Sequence, residues 1–272
     1  MVMGVVNATP DSFYAYSRAG DVASLCEQIC RMADEGADMI DIGAYSTRPG
    51  AGQVPVDEEK CRLGMAAEAV KVSGVGLPLS VDTFRAEVAR YAVERLGFGM
   101  VNDIGGGTLD PDMLATVADL DVPYIAMHMR GTPETMQQFA HYDNVAEQVT
   151  TELSERLQAL HSAGVKHVIL DPGFGFAKTL EQNYALLAGL QSVKALGAPV
   201  LVGVSRKSMI YKLLGCTPEN ALNGTTVVNT IALMAGADIL RVHDVKAAVE
   251  ARTIVMKTRS PHPPINTQST PI

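Results

Sequence analysis

The sequence predicts an α/β protein built as a single (β/α)8 TIM barrel. Eight short apolar runs rich in Val and Ile alternate with segments of helical periodicity along the 272 residues. The repeat is roughly 34 residues per unit, close to the roughly 31 that a barrel of about 250 residues needs. The runs lack a clean polar and apolar alternation, which is typical of strands buried on both faces.

The predicted strands and the helical segments between them account for most of the chain. The strands are Val2–Val6, Met39–Ile42, Leu79–Val81, Met100–Val101, Tyr124–Met127, Val168–Leu170, Val200–Val202 and Ile239–Val242. The helical segments are 21–36, 57–72, 85–96, 111–119, 143–163, 180–195, 206–235 and 244–257.

Several predicted helices carry start and stop signals. Asp110-Pro111 predicts an N-cap followed by the first helical residue. Glycines stand shortly before the next strand, where a left-handed C-cap is expected, at Gly36, Gly97, Gly164, Gly197 and Gly236. We predict that the barrel spans residues 1–258 and that residues 259–272 form a mobile, Pro-rich tail.

Composition excludes several classes of partner. The formal net charge is −8, from 22 basic and 30 acidic residues, and the chain has no Trp. Phosphate backbones need clustered basic residues and base stacking needs aromatic ones, so we expect no nucleic-acid partner. No apolar run reaches the roughly 18 residues of a membrane span, and no secretion signal is recognisable. We therefore expect a cytoplasmic protein with no membrane partner, whose four cysteines are reduced.

Polar side chains stand at or directly after nearly every predicted strand. The carboxyl ends of the strands of such a barrel meet at one mouth, where catalytic residues collect. Turn and cap chemistry explains one such residue, but not one at each of eight strands. In strand order they are Asn7, Asp41, Asp82, Asn102, Asp103, His128, Asp171, Ser205, Lys207, Arg241, His243 and Asp244. The sequence therefore predicts a ligand site at this mouth.

One group of these residues suits a heterocycle. The carboxylates of Asp82 and Asp171 and the amide of Asn102 match a guanidine-like edge, which carries adjacent N–H donors and acceptors. The ammonium of Lys207 matches a ring carbonyl.

A second group suits an anion. Arg48, which lies in the loop after the second strand, Arg241 and His243 supply donors for a carboxylate or phosphate. Asn7 supplies an oxygen ligand for Mg²⁺, which prefers oxygen ligands and substrate phosphates.

Each of these residues also has a plainer explanation. Asp82 can cap the following helix, and Lys207 can be a solvated first-turn lysine. Arg241 can pair with Asp244, and His243 can be a structural histidine. The sequence alone leaves these explanations open.

Eight segments of the sequence resemble dihydropteroate synthase, the sulfonamide target of folate biosynthesis. The two longest are 3–13, which reads MGVVNATPDSF, and 41–51, which reads DIGAYSTRPGA. The others are 80–83 (SVDT), 101–104 (VNDI), 127–129 (MHM), 171–176 (DPGFGF), 203–208 (GVSRKS) and 241–245 (RVHDV). They occur in order over residues 3–250, and their combination is highly specific.

The resemblance implies an enzyme that condenses 6-hydroxymethyl-7,8-dihydropterin diphosphate with 4-aminobenzoate to give 7,8-dihydropteroate and diphosphate. It implies that the pterin is held by Asp82, Asn102, Asp171 and Lys207, and that Asn7 binds Mg²⁺. It implies that the diphosphate and its neighbourhood are contacted by Thr47, Arg241 and His243. It implies that the aminobenzoate pocket is shaped by Phe13, Arg48, Pro49, Phe176, Lys207 and Ser208. It also implies a homodimer, with the late helices near 218–235 and 244–257 as the contact.

The expected catalysis is electrostatic. Departure of diphosphate leaves a cationic methylene group conjugated to the pterin, so the developing charges must be stabilised. By the resemblance this task falls to Asp82, Asp171, Lys207, Arg241 and His243. An aromatic amine is already neutral near pH 7, so we predict that no single residue acts as an essential base.

The chain departs from the family at two places, and two other functions stay open. It begins almost at the first strand, which predicts little or no N-terminal hairpin. Residues 14–18 (YAYSR) replace a Ser-Asp-Gly-Gly turn. The alternatives are a methyltetrahydrofolate-dependent methyltransferase, which does not require the STRPG and SRKS segments together, and a non-catalytic pterin-binding paralogue. The paralogue would be expected to lose Asn7, Lys207 or the Arg241 and His243 pair.

Overall fold

The computed structural model describes residues 1–8, 18–45 and 53–259, and these form alternating parallel strands and helices. The strands are β1 (Val2–Asn7), β2 (Met39–Gly43), β3 (Leu79–Asp82), β4 (Met100–Asp103), β5 (Tyr124–Met127), β6 (Val168–Asp171), β7 (Leu201–Val202) and β8 (Ile239–Val242). The helices are α1 (Arg18–Asp34), α2 (Val56–Ser73), α3 (Ala86–Leu96), α4 (Met113–Leu120), α5 (Val145–Ser162), α6 (Leu180–Ala188), α7 (Leu190–Lys194), α8 (Ser208–Leu214), α9 (Leu222–Met234) and α10 (Val245–Arg259).

The strands form one parallel sheet that closes on itself. Neighbouring strands pair in the order β6-β5-β4-β3-β2-β1-β8-β7. A single parallel bridge between Leu170 and Val200 then joins the two ends of this order, β6 and β7. The predicted (β/α)8 barrel is confirmed, and closure leaves the sheet without a free edge.

Successive side chains along each strand point to opposite faces of the sheet, and this produces two separate apolar cores. Side chains that point outward, such as Ile40, Ile42 and Val81, are fully buried beneath the surrounding helices. Six inward side chains form a separate apolar cluster in the lower half of the barrel: Met3, Met39, Ile125, Ile169, Leu201 and Ile239. The next inward position lies two residues further along each strand, and on four of the strands a polar side chain stands there.

Four strands show this change from apolar to polar directly. On β2 it runs from Met39 to Asp41, and on β8 from Ile239 to Arg241. The same spacing leads from Met100 to Asn102 and from Ile169 to Asp171. The upper half of the barrel is therefore filled by polar groups that share one mouth.

The left-handed backbone predicted at the helix ends is confirmed, although Gly97 is the C-cap itself whereas the glycines after α5, α7 and α9 follow an alanine C-cap by one or two residues. All five predicted positions have a positive φ, between 78° at Gly97 and 108° at Gly236. L-residues with a side chain rarely adopt this conformation, so glycine fits these helix ends.

Two helix predictions are wrong in detail. The segment 206–235 is not one helix, because α8 ends at a left-handed Gly215 and Pro218 starts a short 3-10 turn before α9. The segment 180–195 divides at Gly189 into α6 and α7.

The predicted N-cap at Asp110 is also wrong. Helix α4 begins at Met113, and the Asp110 carboxylate accepts instead from the amides of Asp112 (3.0 Å) and Ala86 (2.8 Å). Since Ala86 is the first residue of α3, the side chain ties two helix starts together rather than capping one.

The C-terminal boundary differs from the prediction by one residue. Helix α10 ends at Arg259, whereas the barrel was predicted to end at residue 258. The rest of the predicted tail, residues 260–272, lies outside the described residues. Among the helices within the described ranges, none is long and apolar enough to cross a membrane.

The lower mouth of the barrel opens into a cavity of about 860 Å³. Its lining is mostly apolar and includes Met1, Met100, Pro123, Leu157 and Ile169. It lies at the amino-terminal ends of the strands, opposite the polar layer.

Candidate active site

The upper mouth gathers most of the side chains that the sequence predicts. Asn7, Asp82 and Asp171 are the last residues of β1, β3 and β6. Asn102 and Arg241 lie within β4 and β8. Because all eight strands run in the same direction around a closed barrel, these residues share one end of the molecule.

A guanidinium between two carboxylates lies at the centre of this mouth. Arg241 donates from Nε to Oδ2 of Asp41 and from Nη2 to Oδ2 of Asp82, both at 2.7 Å. Asp41 is fully buried, and about a fifth (22%) of the Arg241 and Asp82 side chains is exposed. Three of the five guanidinium N–H groups remain for a further acceptor.

Asp41 is among the polar residues predicted at the mouth, but the sequence assigns it no ligand role, and the structure places it against Arg241 and Asn102. Its Oδ2 also accepts from the Asn102 amide at 2.9 Å, and its Oδ1 is buried with no hydrogen-bond partner within the described structure. The inward spacing of Asp41 after Met39 is the signal that identifies it, since a period of two places both on the same face.

Two of the plainer explanations are wrong. Arg241 does not pair with Asp244, because Asp244 is held by Arg206 through two hydrogen bonds of 2.8 Å. Asp82 does not cap the following helix, because α3 begins four residues further on, at Ala86, and has no side-chain cap.

The pKa of Asp82 is shifted toward neutral pH. Burial raises the pKa of Asp82 to about 7, and the nearby carboxylates of Asp41 and Asp103 act in the same direction. The positive charge of Arg241 opposes this rise. The mouth therefore holds an acid that titrates in the working range of an enzyme.

Asp171 and Lys207 form a second pair of opposite charges. Asp171 is buried, and its Oδ1 accepts from the amide of Gly173 at 2.8 Å. Burial raises the pKa of Asp171, and the charge of Lys207 opposes this. Burial lowers the pKa of Lys207 to about 8, with Asp171 opposing. Lys207 is therefore no ordinary solvated lysine.

The segment between β6 and α6 lies against Lys207. The ammonium donates to the carbonyl of Phe174 and lies 4.7 Å from the ring centre of Phe176. Ser208 follows directly as the first residue of α8. The structure thus brings together three predicted residues of the aminobenzoate pocket, Phe176, Lys207 and Ser208.

His243 lies at the exposed rim beside Arg241. Its Nδ1 is 3.1 Å from the hydroxyl of Ser205, which also accepts from the His243 amide at 3.2 Å. Desolvation and the charge of Arg241 lower the pKa of His243, so the ring is neutral at pH 7. Nδ1 is thus paired with the Ser205 hydroxyl, and Nε2 is the ring nitrogen left to contact a ligand.

Four predicted site residues, Phe13, Thr47, Arg48 and Pro49, lie outside the described residues. Asn7 is described, half-buried at the end of β1. Across the described ranges, no group of three or more His, Cys, Asp or Glu side chains can hold a metal ion.

The fold and the mouth define a barrel enzyme that handles a small ligand with a polar ring and an anionic group. The family described as "Pterin binding enzyme" matches residues 3–243, and the chain belongs to this family. The dihydropteroate synthase of Synechocystis is 43% identical over 252 residues, which cover 92% of this chain and 86% of that protein.

Two solved structures of the Xanthomonas albilineans dihydropteroate synthase share the fold. The structure with 4-aminobenzoic acid has a TM-score of 0.87 and 44% identity, and covers 95% of this chain and 93% of that chain. The structure in complex with 7,8-dihydropteroate has a TM-score of 0.84 and 41% identity, and covers 95% of this chain and 93% of that chain.

Replacing Arg241 tests the central charge arrangement. We expect Arg241→Met to lower the free energy of unfolding by about 3 kcal/mol at pH 8, because a buried carboxylate loses its partner. The loss should be smaller at pH 5, since Asp82, whose pKa is already raised, then takes up a proton. Urea denaturation at both pH values measures this.

The matched control is Arg252→Met, which breaks an ion pair with Asp38 whose two side chains are 26% and 34% exposed. This change should lower stability by less than about 1 kcal/mol. Equal losses in the two variants would contradict a special role for the buried arrangement.

Proposed function

We propose that this protein catalyses the dihydropteroate synthase reaction, joining 6-hydroxymethyl-7,8-dihydropterin diphosphate to 4-aminobenzoate. The observation that carries the proposal is the shared mouth, where Asn102, Asp171 and Lys207 lie with the Arg241 guanidinium. The family and the ligands of the Xanthomonas structures support the same reaction.

The pterin binds to the deeper groups. Its 2-amino-4-oxo edge offers adjacent N–H donors, which the Asp171 carboxylate accepts, while the Asn102 amide pairs with a ring nitrogen. Lys207 donates to the ring carbonyl. Asp82 completes the set, and its charge is kept in place by Arg241.

The diphosphate binds toward the rim. Arg241 has three N–H donors left after its bonds to Asp41 and Asp82. Neutral His243 adds an Nε2 donor, and we assign Thr47 to the same anion.

The donor chemistry fits a magnesium ion that arrives with the substrate. Asn7 offers one amide oxygen at the mouth, and Mg²⁺ typically takes few protein ligands and fills its shell with phosphate oxygens and water. When bound, Mg²⁺ would neutralise charge on the diphosphate.

The aminobenzoate approaches between Phe176 and Ser208, with Lys207 beneath, and we assign Phe13, Arg48 and Pro49 to the same pocket. The amine lone pair forms a C–N bond to the pterin methylene as its C–O bond to diphosphate breaks. The amine then releases a proton to solvent. The side chains stabilise the cationic carbon and the leaving anion rather than remove a proton.

The direct test is diphosphate release by the purified protein with both substrates and Mg²⁺. Release should depend on 4-aminobenzoate, and Asp171→Asn should lower kcat/KM for the pterin substrate by about 100-fold because the ring loses its acceptor. The matched control is Asp121→Asn, an exposed residue that pairs with Lys166 and should leave kcat/KM unchanged.

Two results would contradict the proposed dihydropteroate synthase activity. Release that does not need 4-aminobenzoate would exclude the condensation. Tight pterin binding without any release would favour the non-catalytic paralogue.

The pH dependence follows from two titrating groups. Asp82 must be a carboxylate and Lys207 an ammonium, so kcat/KM should rise through a pKa of about 7 and fall through a pKa of about 8. Asp82→Asn should abolish the acidic limb and lower kcat by about 100-fold, because it removes charge stabilisation. An Asp82→Asn enzyme whose optimum shifts while its turnover is preserved would contradict the electrostatic account.

We also propose a homodimer that forms through α9 and α10. Val227, Ile231 and Met234 form an apolar stripe on α9 at helical spacing, each about half exposed (46–55%). Ile254 and Met256 on α10 are likewise exposed. An apolar stripe of this kind is typical of a subunit interface.

Light scattering at micromolar concentration should give the mass of a dimer, and Ile231→Lys should convert it to a monomer, because a charge is buried in the interface. Val72→Lys, at an exposed apolar residue of α2, should leave the dimer intact. A monomeric wild type would refute the proposal. The cytoplasmic location stays a prediction.

A further inference from the structure

A buried lysine outside the ligand-binding groups lies beneath the β6–α6 segment. Lys178 is only 4% exposed. Its Nζ contacts the carbonyl oxygens of Gly173 and Phe176, each at 3.0 Å, and Nδ1 of His128 at 3.1 Å. These three contacts match the three N–H groups of an ammonium.

A chain of side chains fixes the direction of these hydrogen bonds. Arg130 donates from Nε to both carboxylate oxygens of Glu152, at 3.1 and 3.2 Å. Glu152 in turn lies 3.0 Å from Nε2 of His128, and its pKa of about 2 keeps it ionised against the effect of burial, through His128 and Arg130. A carboxylate accepts only, so His128 Nε2 must donate.

The protonation state of Lys178 follows from these hydrogen-bond directions. His128 has a lowered pKa because of burial, so the ring is neutral and carries its one hydrogen on Nε2. Nδ1 is then an acceptor, and Lys178 needs a third N–H to satisfy it together with the two carbonyls. Burial favours the neutral amine and lowers the pKa of Lys178 to about 7, whereas the negative charge of Asp171 opposes this shift.

The segment above Lys178 needs support, because its backbone is unusual. Gly173, Gly175 and Ala177 have φ values of 70°, 83° and 48°. Ala177 is a non-glycine residue in the left-handed region, where a Cβ is strained. A Cβ on Gly173 would lie 2.0 Å from the His128 carbonyl oxygen, so the segment is also pressed closely against β5.

Two lysines therefore hold the same segment through different carbonyls. Lys178 takes the carbonyls of Gly173 and Phe176, whereas Lys207 takes the carbonyl of Phe174 and lies against the Phe176 ring. Lys207 belongs to the ligand site, whereas the hydrogen bonds of Lys178 go to the segment itself and to His128.

We propose that Lys178 is a positioning residue, held as an ammonium by its hydrogen bonds to two carbonyls and to His128, whose Nε2 is bound by Glu152, and that it fixes the β6–α6 segment so that Phe176 packs on Lys207. It acts on the aminobenzoate side of the site through Phe176. Only the kinetic consequence of this proposal rests on the proposed function, because the hydrogen bonds of Lys178 do not depend on the reaction.

The kinetic test is Lys178→Met. It should raise KM for 4-aminobenzoate by about tenfold, because Phe176 is displaced, and leave KM for the pterin substrate within about twofold. In a double-mutant cycle with Phe176→Ala the effects should be non-additive, since both changes remove the same contact. Lys71→Met, at an exposed residue of α2, is the matched control and should match wild type. Additive effects, or an unchanged KM for 4-aminobenzoate, would overturn the proposal.

A second readout is independent of turnover. Amide hydrogen exchange over residues 173–178 should accelerate in Lys178→Met by at least about tenfold, while exchange in β1 and β2 stays at the wild-type rate. Unchanged exchange in this segment overturns the positioning role. If the wild type releases no diphosphate, but exchange over residues 173–178 is still faster in Lys178→Met than in the wild type, the proposed function is refuted and the role of Lys178 is supported.

If Lys178→Met does not fold, two variants of His128 test the positioning role of Lys178 instead. His128→Asn retains an acceptor near Lys178 and should preserve KM for 4-aminobenzoate, whereas His128→Leu removes it and should raise that KM. Equal values for the two variants would overturn the proposal.

Discussion

The Arg241 guanidinium donates to Asp41 on one side and to Asp82 on the other, and the remaining groups at the mouth are arranged around this contact. Asn102 is held by the same Asp41 oxygen that accepts from Arg241. Neutral His243 owes its low pKa in part to the guanidinium. A buried cation with two carboxylates is a weak source of stability, because desolvation opposes the attraction. The arrangement instead supplies a positive charge in a fixed position, with N–H donors that are still available to a ligand.

The barrel separates stability from ligand binding along the same strands. Met39, Ile169 and Ile239 fill the lower half with apolar side chains, and two residues later Asp41, Asp171 and Arg241 fill the upper half. Closure of the sheet holds the upper groups in place while leaving one mouth open to a ligand.

The sequence predicts all eight strands because their apolar runs are bounded by turn residues, and it predicts the mouth because polar residues follow each run. It cannot predict the partners, since Arg241 and Asp41 are 200 positions apart in the chain and only closure brings them together. This is why the sequence alone leaves open a pairing of Arg241 with Asp244. For the same reason it does not indicate the contacts of Lys178 and Glu152 with His128. The split of segment 206–235 was readable from Gly215 and Pro218, which helical periodicity alone overlooks.

A crystal structure of the protein with the dihydropterin diphosphate and Mg²⁺ tests the central claim most directly. The account predicts that the heterocycle contacts Asn102, Asp171 and Lys207 and that the diphosphate reaches Arg241. A pterin seated in the apolar cavity at the lower mouth, with none of these side chains in contact, would contradict it.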